Sequence, residues 1–335
     1  MDKKERVIRA IRRGTVDRPP VLCVDSTATS ELAQRLNLKW PVFHQRAEEM
    51  ARMALGALDQ FDFDAVRVPF CQTIEAEALG CEVTYKDFMP GNDKALYALD
   101  AVPEYPGDFL RRGRIPELLE ALRLVKREVG DRVLVLGGVV GPLSLARALL
   151  DSVPLLKASL KFPAKIIPFM EIGKRASIEM ALALSQAGAD MIVIEDMTAS
   201  PDLLHPKTYK TMVADYHKQV IQAVPGRVIL HICGDLTFIA EEAAGTGAIA
   251  LSIDPKADLA QMRAKVGNQM PLIGGVDTVL LSLGDPEKIR AVSLDALKEG
   301  INLLAPGCAI PPNTPIQNVK AMVAAAEGFK RAPIL

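Results

Sequence analysis

Three residues with the chemistry of metal ligands lie at the ends of apolar segments in the second half of the chain. His231 and Cys233 end RVILHIC (227–233), and Cys308 ends INLLAPGC (301–308). A separation of two places the side chains of His231 and Cys233 on the same side of an extended chain. One imidazole nitrogen and two thiolate sulfurs suit Zn²⁺, and three protein ligands leave a fourth position for a substrate. Two interpretations are open at this point: a zinc site, or a core histidine and two buried cysteines.

Acidic residues end other apolar segments and could act beside such a metal. They are Asp25, Asp196, Asp254 and Asp277. One of them could fill the fourth position or orient the histidine. We expect Asp254 or Asp196 to take such a role, with a helix cap or a loop contact as the alternative.

Eight short segments rich in Val, Ile and Leu are predicted to be strands, because continuous apolar runs are typical of strands buried on both faces. Segments with helical spacing, such as 115–129 and 209–220, lie between them. Eight parallel strands close a barrel, so we expect an α/β protein with a (β/α)8 TIM barrel fold. The alternative is an open doubly wound sheet, but no G-x-G-x-x-G motif follows the first segment. The predicted strands are 19–25, 65–70, 133–140, 191–196, 227–233, 248–254, 270–277 and 301–308.

The remaining segments fit one domain. MDKKERVIRAIRRG (1–14) is charged and has helical spacing, which predicts an N-terminal helical extension and not a secretory signal. Scattered Pro, Gly and Asp at about 82–113 predict an insertion after the second predicted strand. No linker divides the chain, so we expect a single barrel domain over residues 1–335.

The composition excludes several classes of protein. Lys and Arg number 40 against 41 Asp and Glu, so the net charge of -1 offers no field for nucleic acid or an anionic membrane. No apolar stretch approaches the ~18 residues of a membrane span. An odd number of cysteines, 5, in a long chain predicts a reducing cytoplasm rather than a disulfide framework. We expect Cys23, Cys71 and Cys81 to be packing residues.

The segments that carry the candidate ligands resemble a known family. LHICGD (230–235) and LLAPGCAIPPNTPIQNVKAMVAA (303–325) are similar to the methylcobamide:coenzyme M methyltransferases of the uroporphyrinogen decarboxylase superfamily, and so are AVRVPFC (65–71) and GADMIVIED (188–196). The resemblance extends over nearly the whole chain. It implies a (β/α)8 barrel in which His231, Cys233 and Cys308 bind zinc.

The same resemblance implies a reaction and its participants. The zinc would activate a thiol, such as coenzyme M, to attack a methyl group on a methylcobamide, which is a corrinoid usually carried by a small partner corrinoid protein. A free thiol, with a pKa of about 8.5, is mostly protonated at neutral pH, and zinc binding deprotonates it. Relatives use a Glu near Asp254. SIDPK (252–256) differs from that string and offers Asp254 as the further ligand.

Three other functions are compatible with parts of the pattern. A uroporphyrinogen decarboxylase would hold its substrate carboxylates with Arg near the first strand, but VDSTATS (24–30) has none. A related corrinoid methyltransferase could use tetrahydrofolate or an O-methyl compound on the same zinc scaffold. A non-catalytic partner of a corrinoid protein could carry a structural zinc.

The methyl acceptor is not identified by the sequence. The sulfonate of coenzyme M requires a cationic or amide group to bind it. Arg67, within the second predicted strand, is the candidate, and a salt bridge is the alternative role for this residue.

Overall fold

Seven parallel β-strands form a single sheet in which each strand pairs with its neighbours in chain order. Seven of the eight predicted strands are thereby confirmed, in a parallel α/β protein. The computed structural model describes residues 1–85 and 89–329. Its strands are β1 (Ala65–Val68), β2 (Leu134–Val140), β3 (Met191–Glu195), β4 (Val228–Ile232), β5 (Ala250–Ile253), β6 (Leu272–Val276) and β7 (Leu303–Pro306).

The first predicted strand, 19–25, forms only an isolated parallel bridge between Val21 and Leu304. Pro19 and Pro20 lack the N–H that a ladder needs, which shortens the pairing. The segment nevertheless contacts both edges of the sheet. Leu304 N donates to Pro20 O at 2.9 Å on the β7 side, and Asp64 N donates to Val21 O at 2.7 Å just before β1. The sheet is therefore curled, and its two edges meet at this segment.

Helices connect consecutive strands and cover the outer face of the sheet. The helix predicted at 115–129 is present, while the one predicted at 209–220 starts with a π-helical turn, Tyr209–Val213. None of the helices in the two described ranges is long and apolar enough to span a bilayer. The α-helices are α1 (Lys3–Ile11), α2 (Ser30–Arg35), α3 (Ala47–Phe61), α4 (Ile74–Ala78), α5 (Ile115–Val129), α6 (Pro142–Leu149), α7 (Ser152–Lys161), α8 (Ile167–Ala187), α9 (Pro206–Thr208), α10 (Ala214–Ala223), α11 (Ala240–Ala244), α12 (Leu259–Val266), α13 (Thr278–Leu283), α14 (Pro286–Glu299) and α15 (Ile316–Glu327).

The segment predicted as an insertion, about 82–113, follows β1 and α4. Its described part holds an isolated bridge between Thr84 and Gly91 and one 3₁₀ turn, Phe109–Arg111. Residues 86–88 of this segment lie outside the described residues.

The inside of the curled sheet has an apolar level and a polar level. Side chains two residues apart on a strand point to the same face. The apolar level packs against Val7, Ala10 and Ile11 of α1, which closes the N-terminal end of the sheet. It includes Ala65, Val193, Ile229 and Ala250. Two residues further along the same strands lie four polar side chains that are at most 2% exposed, namely Arg67, Glu195, His231 and Ser252.

Candidate metal centre

The candidate metal ligands come from the C-terminal ends of β4 and β7, where catalytic groups of α/β barrels lie. His231 is within β4 and is fully buried, and Cys233 follows the last residue of that strand. Cys308 lies two residues beyond the end of β7. Cys233 and Cys308 are only partly buried, so the cysteine side of the cluster is more exposed than the histidine side.

The three ligand atoms are close enough to bind one ion. Cys233 Sγ lies 3.3 Å from His231 Nε2 and 3.3 Å from Cys308 Sγ. Zinc–sulfur and zinc–nitrogen bonds in a tetrahedral site place ligand atoms about 3.5–3.8 Å apart. The three atoms all lie within 4.8 Å of one another. The soft donor set and its spacing therefore fit zinc, and they leave one tetrahedral position for a further ligand.

Protons on His231 and Cys308 compete with a metal for the ligand atoms. Burial alone would lower the pKa of His231. This effect is outweighed by the hydrogen bond with Cys308 and by the negative charges of Cys308, Asp25 and Glu195, and the pKa of His231 is raised to about 9. The hydrogen bond with Cys233, together with burial, raises the pKa of the Cys308 thiol. Ligands must be deprotonated to bind a metal, so metal binding at this cluster would release protons.

Buried charges lie directly beside the cluster. Asp25 accepts a contact from the Cys308 thiol through Oδ2, at 3.6 Å, while its Oδ1 accepts from Ser26 N at 2.6 Å and from Arg67 Nη1 at 3.1 Å. Arg67 also forms an ion pair with Glu195, with Nη2 and Oε1 2.5 Å apart. The salt-bridge alternative for Arg67 is thus the one observed. Its guanidinium is buried between the two carboxylates, and a contact of Arg67 with a sulfonate stays a prediction.

The two carboxylates beside Arg67 differ in acidity. Burial alone would raise the pKa of Asp25, but the charges of Arg67 and His231 outweigh it and lower that pKa below its usual value. Burial raises the pKa of Glu195, and the negative charge of Asp25 raises it as well. The charge of Arg67 opposes both effects, and the pKa is raised to about 8. One guanidinium cannot fully neutralise two adjacent carboxylates, which accounts for the difference.

Asp254 lies next to the cluster but turns its carboxylate toward the backbone. Its Oδ2 accepts from Gly234 N at 3.2 Å, and its Oδ1 accepts from Lys256 N at 3.0 Å. Among the described residues, the compact set of ligand atoms consists of the two cysteines and the histidine without Asp254. The ligand role of Asp254 stays a prediction.

Asp196 follows β3 and has the capping role that was its alternative. Its carboxylate accepts from Leu143 N and Ser144 N at the start of α6, at 3.0 and 2.8 Å. It also contacts His217 Nε2 at 2.9 Å, in a fully buried pair. This acid therefore fixes α6 to α10.

Two residues of the polar level were not found from the sequence. Glu195 precedes Asp196, and only strand parity shows that Glu195 shares the inward face with Val193. Ser252 lies in an apolar strand and has no motif of its own. The register of β4 and β5, in which His231 pairs with Ser252, is what brings it to the site.

Comparison with known proteins gives matches along nearly the whole chain. The sequence matches the family described as uroporphyrinogen decarboxylase (URO-D) over residues 2–329. It is 36% identical over 332 residues to the methylcobamide:CoM methyltransferase MtaA of Methanosarcina barkeri, covering 97% of this chain and 98% of that protein. It is 32% identical to the methylcobamide:CoM methyltransferase MtbA of Methanosarcina acetivorans, with 98% of each covered. A solved methyltransferase structure from Methanosarcina mazei superposes with a TM-score of 0.93 at 35% identity, covering 97% of this chain and 98% of that one.

Proposed function

Because this chain belongs to the uroporphyrinogen decarboxylase family, and its relatives include methylcobamide:CoM methyltransferases, we propose that it is a zinc-dependent corrinoid methyltransferase. The reaction moves a methyl group between a methyl-corrinoid and a thiol such as coenzyme M. The observation that carries the proposal is the cluster of His231, Cys233 and Cys308 at the open end of the curled sheet. Two thiolates and one imidazole suit a site that must hold a third sulfur without quenching its nucleophilicity.

The bonds that change involve the substrates alone. A sulfur–carbon bond forms while the cobalt–carbon bond of the methyl-corrinoid breaks, the electron pair stays with cobalt as Co(I), and the thiol proton is released. When bound, zinc would supply the positive charge that keeps the incoming thiol deprotonated near neutral pH. The chain holds that charge through one buried and two partly buried side chains, so the acceptor approaches from the cysteine side.

The finer features of the architecture and setting are part of the same proposal. Residues 19–25, which bond to both edges of the sheet, act as the eighth strand of a closed (β/α)8 barrel, and residues 1–335 act as one domain. A partner corrinoid protein brings the methyl-corrinoid to the open end. The five free cysteines support a reducing cytoplasm as the place of the reaction. Asp254 becomes a further ligand only if its carboxylate turns away from the backbone amides that it now accepts from.

The decarboxylase activity of other family members is the weaker candidate. That chemistry needs cationic side chains free to bind the carboxylates of a substrate. Arg67 is the arginine of the polar level, and its guanidinium is engaged by Asp25 and Glu195. A decarboxylation that involves no metal would also leave the cluster of metal-ligand atoms without a role.

The proposal is tested by a methylcobalamin turnover assay with coenzyme M, tetrahydrofolate and homocysteine in parallel, with zinc quantified in each sample. We expect about one zinc per chain and methyl transfer to coenzyme M. Cys233→Ala and Cys308→Ala should lose both zinc and turnover. Cys81→Ala is the matched control, because Cys81 is buried away from the cluster and its thiol contacts the carbonyl of Ala148. Full turnover by a zinc-free Cys308→Ala protein would contradict the role of zinc. Turnover with tetrahydrofolate but not with coenzyme M would show that tetrahydrofolate, and not a thiol, is the methyl acceptor.

A further inference from the structure

The imidazole of His231 has a polar partner on the side away from the cysteines. His231 Nδ1 lies 3.0 Å from Ser252 Oγ, while its Nε2 lies 3.3 Å from Cys233 Sγ. The two residues are register partners on adjacent strands β4 and β5, and both are fully buried. The ring is thus held between a hydroxyl on one side and the candidate metal position on the other.

Ser252 is the polar residue of an otherwise apolar, buried strand, and its contact with His231 accounts for the hydroxyl at this position. The other residues of β5 are Ala250, Leu251 and Ile253, all apolar and at most 2% exposed. Burying a hydroxyl that makes no hydrogen bond is unfavourable. Alanine at position 252 would match the alanine two residues earlier on the same face. The hydrogen bond with His231 satisfies the serine hydroxyl, which an alanine at this position would not supply.

A neutral imidazole binds a metal through one nitrogen only if the other nitrogen carries the proton. With Nε2 facing the cysteines, Nδ1 must be the protonated atom, and it then donates to Ser252 Oγ. The hydrogen bond at the far nitrogen fixes both the tautomer and the plane of the ring. Because the acceptor is a neutral hydroxyl rather than a carboxylate, it adds no further negative charge to a centre that already holds two thiolates.

We propose that Ser252 is a positioning residue for the metal centre, which selects the Nε2-binding tautomer of His231. The inference rests on the proposed zinc site. Ser252 itself touches neither the metal nor the substrate.

The test compares Ser252→Ala with Ser293→Ala. Ser293 is also fully buried, but its hydroxyl donates to Ile289 O within α14, so it controls for the loss of a buried serine hydroxyl. Zinc affinity is measured by competition with a chromogenic chelator, and unfolding by urea is followed on the metal-free proteins. We expect Ser252→Ala to bind zinc about 10–100-fold more weakly, and Ser293→Ala to bind it as the wild type does, even if both lose stability.

A second readout separates positioning from general destabilisation. The visible spectrum of the Co²⁺-loaded protein reports the ligand geometry, and it should shift in Ser252→Ala but not in Ser293→Ala. Wild-type zinc affinity together with an unchanged Co²⁺ spectrum in Ser252→Ala would overturn the role of Ser252 and leave the zinc site standing. A wild-type protein that binds no zinc would instead overturn the metal centre, and the role of Ser252 with it. The absence of methyl transfer in a protein that binds zinc normally would count against the proposed reaction alone.

Discussion

At the scale of single residues, the main physical constraint on the site is that one guanidinium serves two carboxylates. Arg67 lies between Asp25 and Glu195, and all three side chains are buried. The pKa of Asp25 is lowered, whereas that of Glu195 is raised to about 8. Arg67 therefore stabilises the charged form of Asp25 more effectively than that of Glu195.

We expect Glu195→Gln to change the pH dependence of stability. A carboxyl whose pKa is raised by folding contributes stability that is fully present below its unfolded pKa of about 4.3 and is lost as the pH rises through about 8. The glutamine variant stays neutral throughout. The unfolding free energy of the wild type, minus that of the variant, should fall by up to ~1.4 kcal/mol per pH unit between these limits. Urea unfolding of the metal-free proteins from pH 4 to 9 measures it, with the exposed Glu82→Gln as control. A difference that is constant with pH would refute the assignment.

The sequence was informative about residues whose position along one strand decides their role. The spacing of His231 and Cys233 predicted that their side chains lie on the same side of the strand, and their ligand atoms are 3.3 Å apart in the structure. It was not informative about contacts between strands. The hydrogen-bond partner of His231 depends on the register of β4 with β5. The ion pairs of Arg67 depend on which acidic side chains of segment 19–25 and of β3 lie next to it. Neither relation is encoded in local periodicity.

At the scale of elements, the end of β7 is held against the loop after β5 by a close backbone approach. A Cβ built on Gly307 would lie 2.2 Å from Pro255 Cδ and 3.3 Å from Asp254 Cα. Gly307 N also donates to Val276 O at 2.8 Å, which ties the end of β7 to β6. The residue that follows is Cys308. Glycine at 307 therefore decides how near the second thiol comes to the two ligands of β4.

We expect Gly307→Ala to damage the metal centre more than the fold. The ring of Pro255 is rigid and cannot rotate away, so the added methyl group must displace the backbone at Cys308. Overpacking of this kind costs about 1–3 kcal/mol in unfolding free energy, while a displacement near 1 Å can lower turnover by about 100-fold. Urea unfolding and the methylcobalamin assay give the two numbers. Gly107→Ala is the control, since a Cβ there meets nothing within 4 Å. Turnover equal to that of the control would show that Cys308 tolerates the shift.

Prediction at this scale succeeded where burial on both faces made a strand visible. The seven apolar runs from 65–70 to 301–308 all contain strands. PPVLCVD (19–25) has the same composition, but its two prolines limit its ladder to a single bridge at Val21. The π-helical turn at Tyr209–Val213 was not predicted either, because its apolar spacing is that of an ordinary helix.

At the scale of the whole molecule, stability and chemistry lie at opposite ends of the curled sheet. The metal centre is at the C-terminal ends of the strands, whereas Asp64 immediately precedes β1. Asp64 is fully buried and collects contacts from distant segments. It accepts from Arg6 of α1 at 2.6 Å, from Arg18 at 2.7 Å and from Val21 N at 2.8 Å. This one carboxylate therefore ties the N-terminal helix and the segment 19–25 to the sheet.

We expect Asp64→Ala to lower stability without changing the metal centre. Its removal leaves the buried Arg6 and the nearly buried Arg18 without this carboxylate. Breaking a buried ion pair costs about 3–5 kcal/mol in unfolding free energy. At temperatures where the variant stays folded, its zinc affinity should equal that of the wild type, because the N-terminal face of such a barrel serves stability rather than catalysis. Glu82→Ala, which removes an exposed ion pair with Lys94, should cost no more than ~1 kcal/mol. Urea unfolding and chelator competition measure both quantities. A loss of zinc affinity in folded Asp64→Ala would mean that the segment 19–25, with Asp25 at its end, moves when its anchor is removed, and that the two ends of the sheet are coupled.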